Sequence, residues 1–337
     1  MSWFEKLTGF RELGYAQTQA QFEVIGNRLH SRVNGRSWQV GVLETPSLAE
    51  LRVRSATVRE ATQGVLRVRN IAADAHQLHT WPEVNGALVQ VASQFNLLEM
   101  VSPAVSPEHG VTRYQSDATQ GPACAIAAGA GTIYRNYLVP VGSQIGQSAA
   151  CQLDGLADMG AELSRALGLP VSDLWSMQNG YALATRAGLD VIAAHLREIG
   201  DTERSELAGH LRIGLHQSVE VTDGPSSPGQ LVSQVFCSAL PVAYGRVPQP
   251  YWQGFAQLVL DAAYEATLLA GVLNSRQGGS NIVLLTQLGG GAFGNAPEWI
   301  HTAIERALGK TQGQGLDIRL VSYGPPSTQL KALATKG

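Results

Sequence analysis

An apolar segment, a glycine-rich loop and a helical segment follow one another directly near the end of the 337-residue chain. The apolar segment NIVLLTQL spans 281–288, the loop GGGAFGN spans 289–295, and the predicted helix runs from Pro297 to about Leu308. A short apolar run that ends in glycines predicts a buried strand. A strand that enters a helix through a tight loop is the repeating unit of parallel α/β folds, so this segment strongly constrains the fold.

Strand and helix patterns alternate along most of the chain. Predicted strands span 38–44, 65–70, 87–93, part of 210–223, 231–242, 281–288 and 317–323. Predicted helices span 47–62, 121–136, 153–167, 189–197, 255–273 and 297–308. The first of these helices begins at a capping box formed by Ser47 and Glu50. The alternation predicts the α/β class, with a mixed, largely parallel sheet between two helical layers.

The glycine loop has the spacing of a phosphate-binding turn. Gly289, Gly291 and Gly294 fit the pattern G-x-G-x-x-G between a strand and a helix. Glycines let the backbone approach a phosphate, and a helix N-terminus supplies free N–H groups. A Rossmann dinucleotide site is disfavoured because one predicted strand follows the loop, and it ends at Tyr323 and Gly324 without an acidic residue for a ribose. A tight turn that binds no ligand is the other open interpretation.

Two further segments accompany the glycine loop. They are VQVASQFNLLEM at 89–100 and YQSDATQGPACAIAAGAGTIYRNY at 114–137. Together with LLTQLGGGAFGN they resemble the macrodomain superfamily over residues 64–140 and 230–325. The resemblance is to a divergent branch that includes a bacterial effector removing ADP-ribose from ubiquitin, and poly(ADP-ribose) glycohydrolases are more distant relatives. It implies a three-layer, macrodomain-like fold that binds ADP-ribose.

The resemblance also implies which residues contact ADP-ribose. Asp74 corresponds to an acidic residue that binds the adenine amine, and Asn96 to an asparagine that holds the distal ribose. Two loops would enclose the diphosphate, and Phe293 would lie beside the distal ribose or the adenine. The loop residues are Gly121, Pro122, Ala123, Cys124, Gly289, Gly290, Gly291, Ala292, Phe293, Gly294 and Asn295. Asp74 equally suits a helix cap and Asn96 a loop contact, so both interpretations stay open.

Four polar residues are candidates for the chemistry at the ribose. Hydrolysis at an anomeric carbon passes through an oxocarbenium-like state, which a nearby carboxylate stabilises. Asp117 is the first candidate for that carboxylate and for the general base, and the resemblance places a functional acid there. Glu99 would accept a hydrogen bond from a ribose hydroxyl. Gln120 and Asn96 would position the water or the ribose.

The leading functional hypothesis is an ADP-ribosylhydrolase, an enzyme that cleaves an N- or O-glycosidic bond between ADP-ribose and a protein. A reader module that binds ADP-ribose without cleaving it is an alternative, and a nicotinamide-dependent oxidoreductase is a weaker one. At the residue level, Asp117 has the alternative role of a loop anchor. Cys124 has the alternative role of a nucleophile activated by His109.

Composition narrows the possible partners. The net charge is −3 and no dense run of Lys and Arg occurs, so nucleic acid is not an expected partner. The three cysteines, Cys124, Cys151 and Cys237, fit neither a disulfide framework nor a CxxC metal site. No apolar run reaches the roughly 18 residues of a membrane span. We expect a cytoplasmic protein without a metal or a cofactor, although an effector delivered into a host cytosol would have the same composition.

The predicted domain organisation has three parts. Residues 1–35 form an N-terminal segment, residues 36–330 form the ADP-ribose-binding domain, and residues 141–229 form a helical insertion within it. The expected partner is an ADP-ribosylated protein, with ubiquitin and an arginine linkage as candidates. The insertion is expected to grip that protein, so its deletion should impair protein substrates and spare ADP-ribose binding.

Overall fold

The computed structural model describes residues 1–58 and 64–334. The strands are β1 (Phe22–Ile25), β2 (Arg28–Ser31), β3 (Ser37–Gln39), β4 (Val42–Glu44), β5 (Arg67–Ala72), β6 (Leu88–Ala92), β7 (Pro140–Val141), β8 (Gln144–Ile145), β9 (Trp175–Gln178), β10 (Tyr181–Ala184), β11 (Gly214–Glu220), β12 (Leu231–Cys237), β13 (Ile282–Leu285) and β14 (Asp317–Ser322). The helices are α1 (Trp3–Thr8), α2 (Tyr15–Gln19), α3 (Leu48–Ala56), α4 (Ala75–Leu78), α5 (Gln120–Ala127), α6 (Gly129–Tyr137), α7 (Ala157–Leu167), α8 (Val171–Leu174), α9 (Arg186–Glu198), α10 (Asp201–Gly209), α11 (Gln253–Arg276), α12 (Pro297–Lys310) and α13 (Thr328–Ala334).

Seven strands form the central sheet, in the order β4-β11-β12-β6-β13-β14-β5. The strands from β12 to β5 pair in parallel, and β11 runs antiparallel to both of its neighbours. The predicted mixed, largely parallel sheet is therefore confirmed. Because β12, β6 and β13 are parallel neighbours, their carboxyl ends lie side by side at one edge of the sheet.

Side chains of the central strands alternate between two buried faces. In β13, Val283 and Leu285 pack into a core with residues of α11 and α12. Leu284 points to the other face, where it packs with Leu78 of α4 and Cys124 of α5. An interior strand that is apolar on both sides is covered by helices on both sides. The predicted three-layer α/β/α arrangement follows from this alternation and is confirmed.

The predicted capping box starts α3. Ser47 Oγ accepts a hydrogen bond of 3.1 Å from the Glu50 N–H, and Glu50 Oε2 accepts one of 2.7 Å from the Ser47 N–H. The helix ends at Ala56, and its predicted end at residue 62 lies outside the described residues.

The single strand predicted over 38–44 is divided into β3 and β4. Gly41 lies between them with φ +59°, a left-handed conformation that favours glycine. A Cβ at this position would lie 1.8 Å from the Gln217 carbonyl oxygen, so a larger residue does not fit. The turn sends β3 into a separate antiparallel sheet with β1 and β2, while β4 joins the central sheet. This sheet and α1 pack on α6, where Phe4 and Trp38 share a hydrophobic cluster with Ile133.

Residues 141–229 are continuous with the rest of the fold. Strand β11 lies within this segment and occupies an interior position of the central sheet, between β4 and β12. Leu163, Trp175 and Ile192 belong to the same hydrophobic core as Val235 and Leu285. The segment predicted as a helical insertion does supply α7 to α10, but it also supplies part of the sheet and part of the main core, so it is not a separate insertion.

Helix α11 is the central core helix on one face of the sheet. It is long and apolar enough, by composition, to cross a membrane, but 89% of its most apolar stretch is buried inside the protein. Burial on all sides is typical of the core helix of a larger domain.

Candidate functional site

A cleft opens at the carboxyl edge of the central sheet, where β6, β12 and β13 end. Its empty volume is about 700 Å³, including the part that is open to solvent. Ligands of open α/β sheets bind beyond the carboxyl ends of the strands. The start of α5 and the glycine loop after β13 both line the cleft. Two loops that are far apart in sequence therefore meet at one site, as the sequence predicts.

The glycine loop presents its backbone to the cleft. Gly289, Gly291, Ala292 and Phe293 line it. Within the part of the chain that the structure describes, the N–H groups of Gly291, Ala292 and Phe293 donate no hydrogen bond. Consecutive free N–H groups in a tight loop form a concavity that suits an anion.

Three other residues of the predicted loop shape it from outside the cleft. The Asn295 amide nitrogen Nδ2 donates to the carbonyl oxygens of Leu240 and Gly289, at 2.9 and 3.3 Å. Gly294 has φ +70° and packs against Ala243, and Gly290 donates its N–H to the Gln287 carbonyl at 3.0 Å. Gly290, Gly294 and Asn295 are therefore not among the residues that line the cleft.

The start of α5 forms the opposite wall. Gly121 is required there, because a Cβ would lie 2.0 Å from the Ala92 carbonyl oxygen at the end of β6. Pro122 also lines the cleft, whereas Ala123 does not. The N-cap residue Thr119 makes no side-chain capping bond, so the first amides of this helix lack that partner.

Asp117 lines the cleft from the segment just before α5. It is half-buried, and its Oδ1 accepts a hydrogen bond of 2.9 Å from the Thr119 N–H. No residue that the structure describes donates a hydrogen bond to Oδ2. The pKa of Tyr181 is raised, mainly by burial, then by Tyr244 and in part by the charge of Asp117. The Asp117 carboxylate is thus held through one oxygen, in the same cleft as Tyr181.

Glu99 lines the cleft from its floor and is only 2% exposed. Its two carboxylate oxygens lie 3.3 and 3.5 Å from Arg135 Nη2, and its N–H donates to the Tyr114 hydroxyl at 3.0 Å. Burial raises the pKa of Glu99 to about 7, against the lowering effect of Arg135. A carboxyl group in a cleft that titrates near neutral pH is typical of functional sites.

Three aromatic rings form a wall of the cleft, which we call the aromatic wall (Tyr181, Tyr244 and Phe293). Their ring centroids are 5.0 to 5.5 Å apart. Neither of the two tyrosines is among the site residues predicted from the sequence. Tyr181 follows an Asn179-Gly180 turn whose two residues have φ of +46° and +80°, and Asn-Gly between two short apolar runs is a hairpin signal that was available in the sequence.

Asn96 does not reach the cleft. It is fully buried, its Nδ2 donates to Gln152 Oε1 at 2.7 Å, and its Oδ1 accepts from the Leu98 N–H at 3.1 Å. The expected role in holding a ribose is therefore corrected to a loop contact, because both ends of the amide are used inside the fold.

Gln120 lines the cleft, but its amide is also used. Oε1 accepts from the Ala92 N–H at 2.8 Å, and Nε2 donates to the Gln90 carbonyl at 2.8 Å. The side chain thus pairs with the end of β6 as a neighbouring strand would. This arrangement disfavours the expected role in orienting water and favours a role in anchoring α5.

Cys124 lies in the core instead of the cleft. It is fully buried, and burial raises the pKa of its thiol well above the usual value. Its Sγ accepts a hydrogen bond from Gln120 Nε2 at 3.2 Å, whereas His109 contacts Ser106. The alternative of a Cys–His nucleophile is disfavoured, since a reactive cysteine needs exposure and a lowered pKa.

Asp74 lies at the start of α4, outside the residues that line the cleft. Its Oδ1 accepts hydrogen bonds from the N–H groups of His76 and Gln77, at 2.8 and 3.0 Å. It is therefore a helix cap, and no described residue donates to its Oδ2. The Ala73 N–H pairs with the Ser322 carbonyl at the end of β14, which brings Asp74 near the 88% exposed Tyr323.

Among the residues that the structure describes, no group of three His, Cys, Asp or Glu side chains is arranged to hold a metal ion.

No protein-family model matches the chain, and no curated protein matches it in sequence. Solved structures of similar shape include two bacterial poly(ADP-ribose) glycohydrolases. The Deinococcus radiodurans protein in complex with ADP-ribose is 14% identical, with a TM-score of 0.44 over 96% of each chain. The Thermomonospora curvata protein bound to the inhibitor ADP-HPD is 15% identical, with a TM-score of 0.42 over 92% of this chain and 93% of that chain.

Proposed function

We propose that this protein binds ADP-ribose in the cleft and hydrolyses the bond that joins ADP-ribose to a modified protein side chain. The observation that carries the proposal is the meeting of two backbone loops, at 121–122 and at Gly289 and 291–293, beside the carboxyl groups of Asp117 and Glu99. Loop amides suit a diphosphate, and a pair of carboxyl groups suits chemistry at a ribose.

The glycine loop is the proposed diphosphate site. The three free N–H groups at Gly291, Ala292 and Phe293 supply donors without any basic side chain. The uncapped start of α5 faces the same space and adds the positive end of its helix dipole. This arrangement explains how a chain of net charge −3 binds a doubly charged diphosphate.

The proposed general base is Asp117. One carboxylate oxygen is held by the Thr119 N–H, and the other has no donor among the described residues. A carboxylate at this position stabilises positive charge on the ribose and accepts a proton from the attacking water. The base is thus oriented by its own loop before substrate binds.

Glu99 is proposed to accept a hydrogen bond from a ribose hydroxyl in its charged form. Its pKa of about 7 means that the charged fraction grows as the pH rises through neutrality. We therefore expect kcat/KM to rise with pH in this range, until another group limits the rate.

The adenine is proposed to lie toward Asp74 and Tyr323. The free Asp74 Oδ2 suits the adenine amine, and the exposed ring of Tyr323 offers a stacking surface.

On the opposite side, the aromatic wall would face the modified side chain. Arginine is the proposed linkage because a planar guanidinium stacks well on aromatic rings, and ubiquitin is one candidate carrier.

The direct test is release of ADP-ribose from proteins modified at arginine, glutamate or serine. We expect release from the arginine-linked substrate. Asp117→Asn should lower kcat by about 10²–10⁴-fold, since it removes a general base, while ADP-ribose affinity changes little. Asp173→Asn is the matched control, because Asp173 is an exposed aspartate outside the cleft and should retain full activity.

The other outcomes are also informative. Tight ADP-ribose binding without release from any substrate would instead identify a reader module. An Asp117→Asn protein with full activity would exclude Asp117 as the base. An absorbance change on reduction of a bound nicotinamide cofactor, in the absence of hydrolysis, would support the oxidoreductase alternative.

A further inference from the structure

Arg135 lies directly behind Glu99 and never reaches the cleft. Its side chain is 0% exposed, and its Nη2 contacts Glu99 and also donates to Thr132 Oγ1 at 3.2 Å. The guanidinium carbon lies 3.7 Å from the centroid of the Phe236 ring, within cation–π distance. The orientation of this guanidinium is therefore fixed from several sides.

The same guanidinium also holds the backbone that leads into Glu99. Arg135 Nε donates to the Leu97 carbonyl at 3.1 Å. Leu97 has φ +64°, which is unfavourable for a residue with a branched side chain. A strained residue persists only where its surroundings hold it, and Arg135 is one of those contacts. Arg135 thus fixes both the turn before Glu99 and the carboxylate itself.

Arg135 is the only cation among the described groups that face Glu99, and Asp117 is the other carboxylate that lines the same cleft. Tyr114 contacts Glu99 from the segment before α5, and burial raises the pKa of its hydroxyl, so the group is neutral. Cys124 of α5 is a neutral thiol for the same reason. His216 of β11 lies behind Arg135, and burial together with Arg135 lowers its pKa to about 3, so it is neutral as well.

We propose that Arg135 is a positioning residue of the cleft, which favours the charged form of Glu99 and orients its carboxylate toward a bound ribose. Its effect on turnover rests on the proposed function, whereas its effect on the Glu99 carboxyl group does not. Without a nearby cation, a carboxyl group buried to this degree stays protonated at neutral pH. Arg135 never touches substrate, so it acts only through Glu99.

The first test follows the Glu99 carboxyl group directly, by NMR titration of protein labelled with ¹³C-glutamate, without any ligand. The Glu99 signal is assigned by its loss in Glu99→Gln. In Arg135→Met, which keeps an unbranched apolar stem and removes the charged guanidinium, we expect the midpoint to rise by about one pH unit or more. An unchanged midpoint would overturn the proposal, whatever the protein catalyses.

The second test is a double-mutant cycle on the pH dependence of kcat/KM for release of ADP-ribose. Arg135→Met should move the acidic limb to higher pH by about the same one unit or more. In the Glu99→Gln background, Arg135→Met should not shift the pH dependence of kcat/KM, because glutamine at position 99 does not titrate. An equal shift in both backgrounds would show a general structural effect and would contradict the proposal. Absence of hydrolysis in the wild type, with the NMR shift present, would refute the proposed function alone.

Arg135→Lys covers the case in which Arg135→Met does not fold. Lysine keeps the positive charge but cannot make the bonds to Leu97, Thr132 and Glu99 together. We expect its Glu99 midpoint to stay within about half a pH unit of wild type, and kcat/KM to fall by at least about tenfold through lost orientation. A midpoint more than about one unit higher, or unchanged kcat/KM, would overturn the proposal.

Discussion

Glu99 and Arg135 form an ion pair whose side chains are 1% and 0% exposed. Removing charges from water costs several kcal/mol per ion, and the attraction offsets this cost only when the geometry is very good. Here the contacts measure 3.3 and 3.5 Å, and Arg135 Nη1 has no hydrogen-bond partner among the described residues. Stability alone does not account for this pair, whereas its position behind the cleft does.

The raised pKa of Glu99 predicts a pH-dependent difference in stability between wild type and Glu99→Gln. The folded state binds the Glu99 proton more tightly than the unfolded chain does. The protonated carboxyl group therefore contributes to the free energy of unfolding, fully below about pH 4.5, and this stabilisation is lost as the pH rises through about 7. A shift of this size corresponds to about 3 kcal/mol. Urea unfolding at pH 5 and pH 8 measures it.

Glutamine does not titrate, so the free energy of unfolding of wild type should fall relative to Glu99→Gln between those two pH values. If the difference in free energy of unfolding between the two proteins stays constant, or changes in the opposite direction, the raised pKa of Glu99 is contradicted.

Asp74→Asn separates the two roles of Asp74. Asparagine caps a helix about as well as aspartate, so the free energy of unfolding should change by less than about 0.5 kcal/mol. Asparagine presents an amide where the carboxylate would accept the adenine amine, so we expect ADP-ribose affinity to fall by about tenfold. Calorimetric titration and urea unfolding give the two values. Unchanged affinity would leave Asp74 as a helix cap only.

Of the four polar residues predicted for the chemistry at the ribose, two have carboxyl groups in the cleft and two have amides that are used inside the fold. Asp117 and Glu99 line the cleft, as expected. The Asn96 amide does not reach the cleft because it donates a hydrogen bond to Gln152, 56 positions later in the chain. The Gln120 amide accepts a hydrogen bond from the end of β6. Side-chain amides satisfy backbone and side-chain partners equally well. Their partners come from distant parts of the chain, so sequence order does not reveal them.

At the scale of elements, the strand–loop–helix unit around the glycine loop was predictable because all of its determinants are local. β13, the turn at Gly289 and the start of α12 follow one another within a few residues. The β9–β10 hairpin was missed although its Asn-Gly turn is also local, because each strand has only four residues. The division of β3 from β4 depends instead on a distant contact between Gly41 and Gln217.

The glycines of the loop should differ sharply in their tolerance of alanine. Gly289 has φ +75°, and a Cβ there would lie 2.4 Å from the Ala239 Cβ. Gly291 has no neighbouring atom within 4 Å of an added Cβ. We expect Gly289→Ala to lower the free energy of unfolding by roughly 1–3 kcal/mol, and Gly291→Ala to change it by less than about 0.5 kcal/mol. Urea unfolding of both variants tests this. An equal loss of unfolding free energy in the two variants would contradict the backbone conformation of the glycine loop.

At the scale of the whole molecule, residues 141–229 cannot be removed as a unit. They supply β11 to the sheet, Tyr181 to the cleft and Trp175 to the main core. The sequence could not show this, because β11 lies beside β4 and β12 only after the chain has folded. Deletion should therefore abolish folding and ADP-ribose binding together.

Thermal unfolding tests this continuity without a deletion. Because the hydrophobic core spans the segment and the rest of the sheet, we expect transitions followed by calorimetry and by circular dichroism to coincide in one step. A separate transition assigned to residues 141–229, for example by protease cleavage within them at a lower temperature, would contradict a shared core.

The central claim is that the cleft binds ADP-ribose, and calorimetric titration of wild type and Ala292→Glu with ADP-ribose tests it most directly. Ala292 is an exposed residue of the glycine loop that lines the cleft, so a carboxylate there would repel the diphosphate while leaving the fold intact. The account predicts one micromolar site in wild type and at least about tenfold weaker binding in the variant. No saturable binding to wild type, or equal affinity in both proteins, would contradict it.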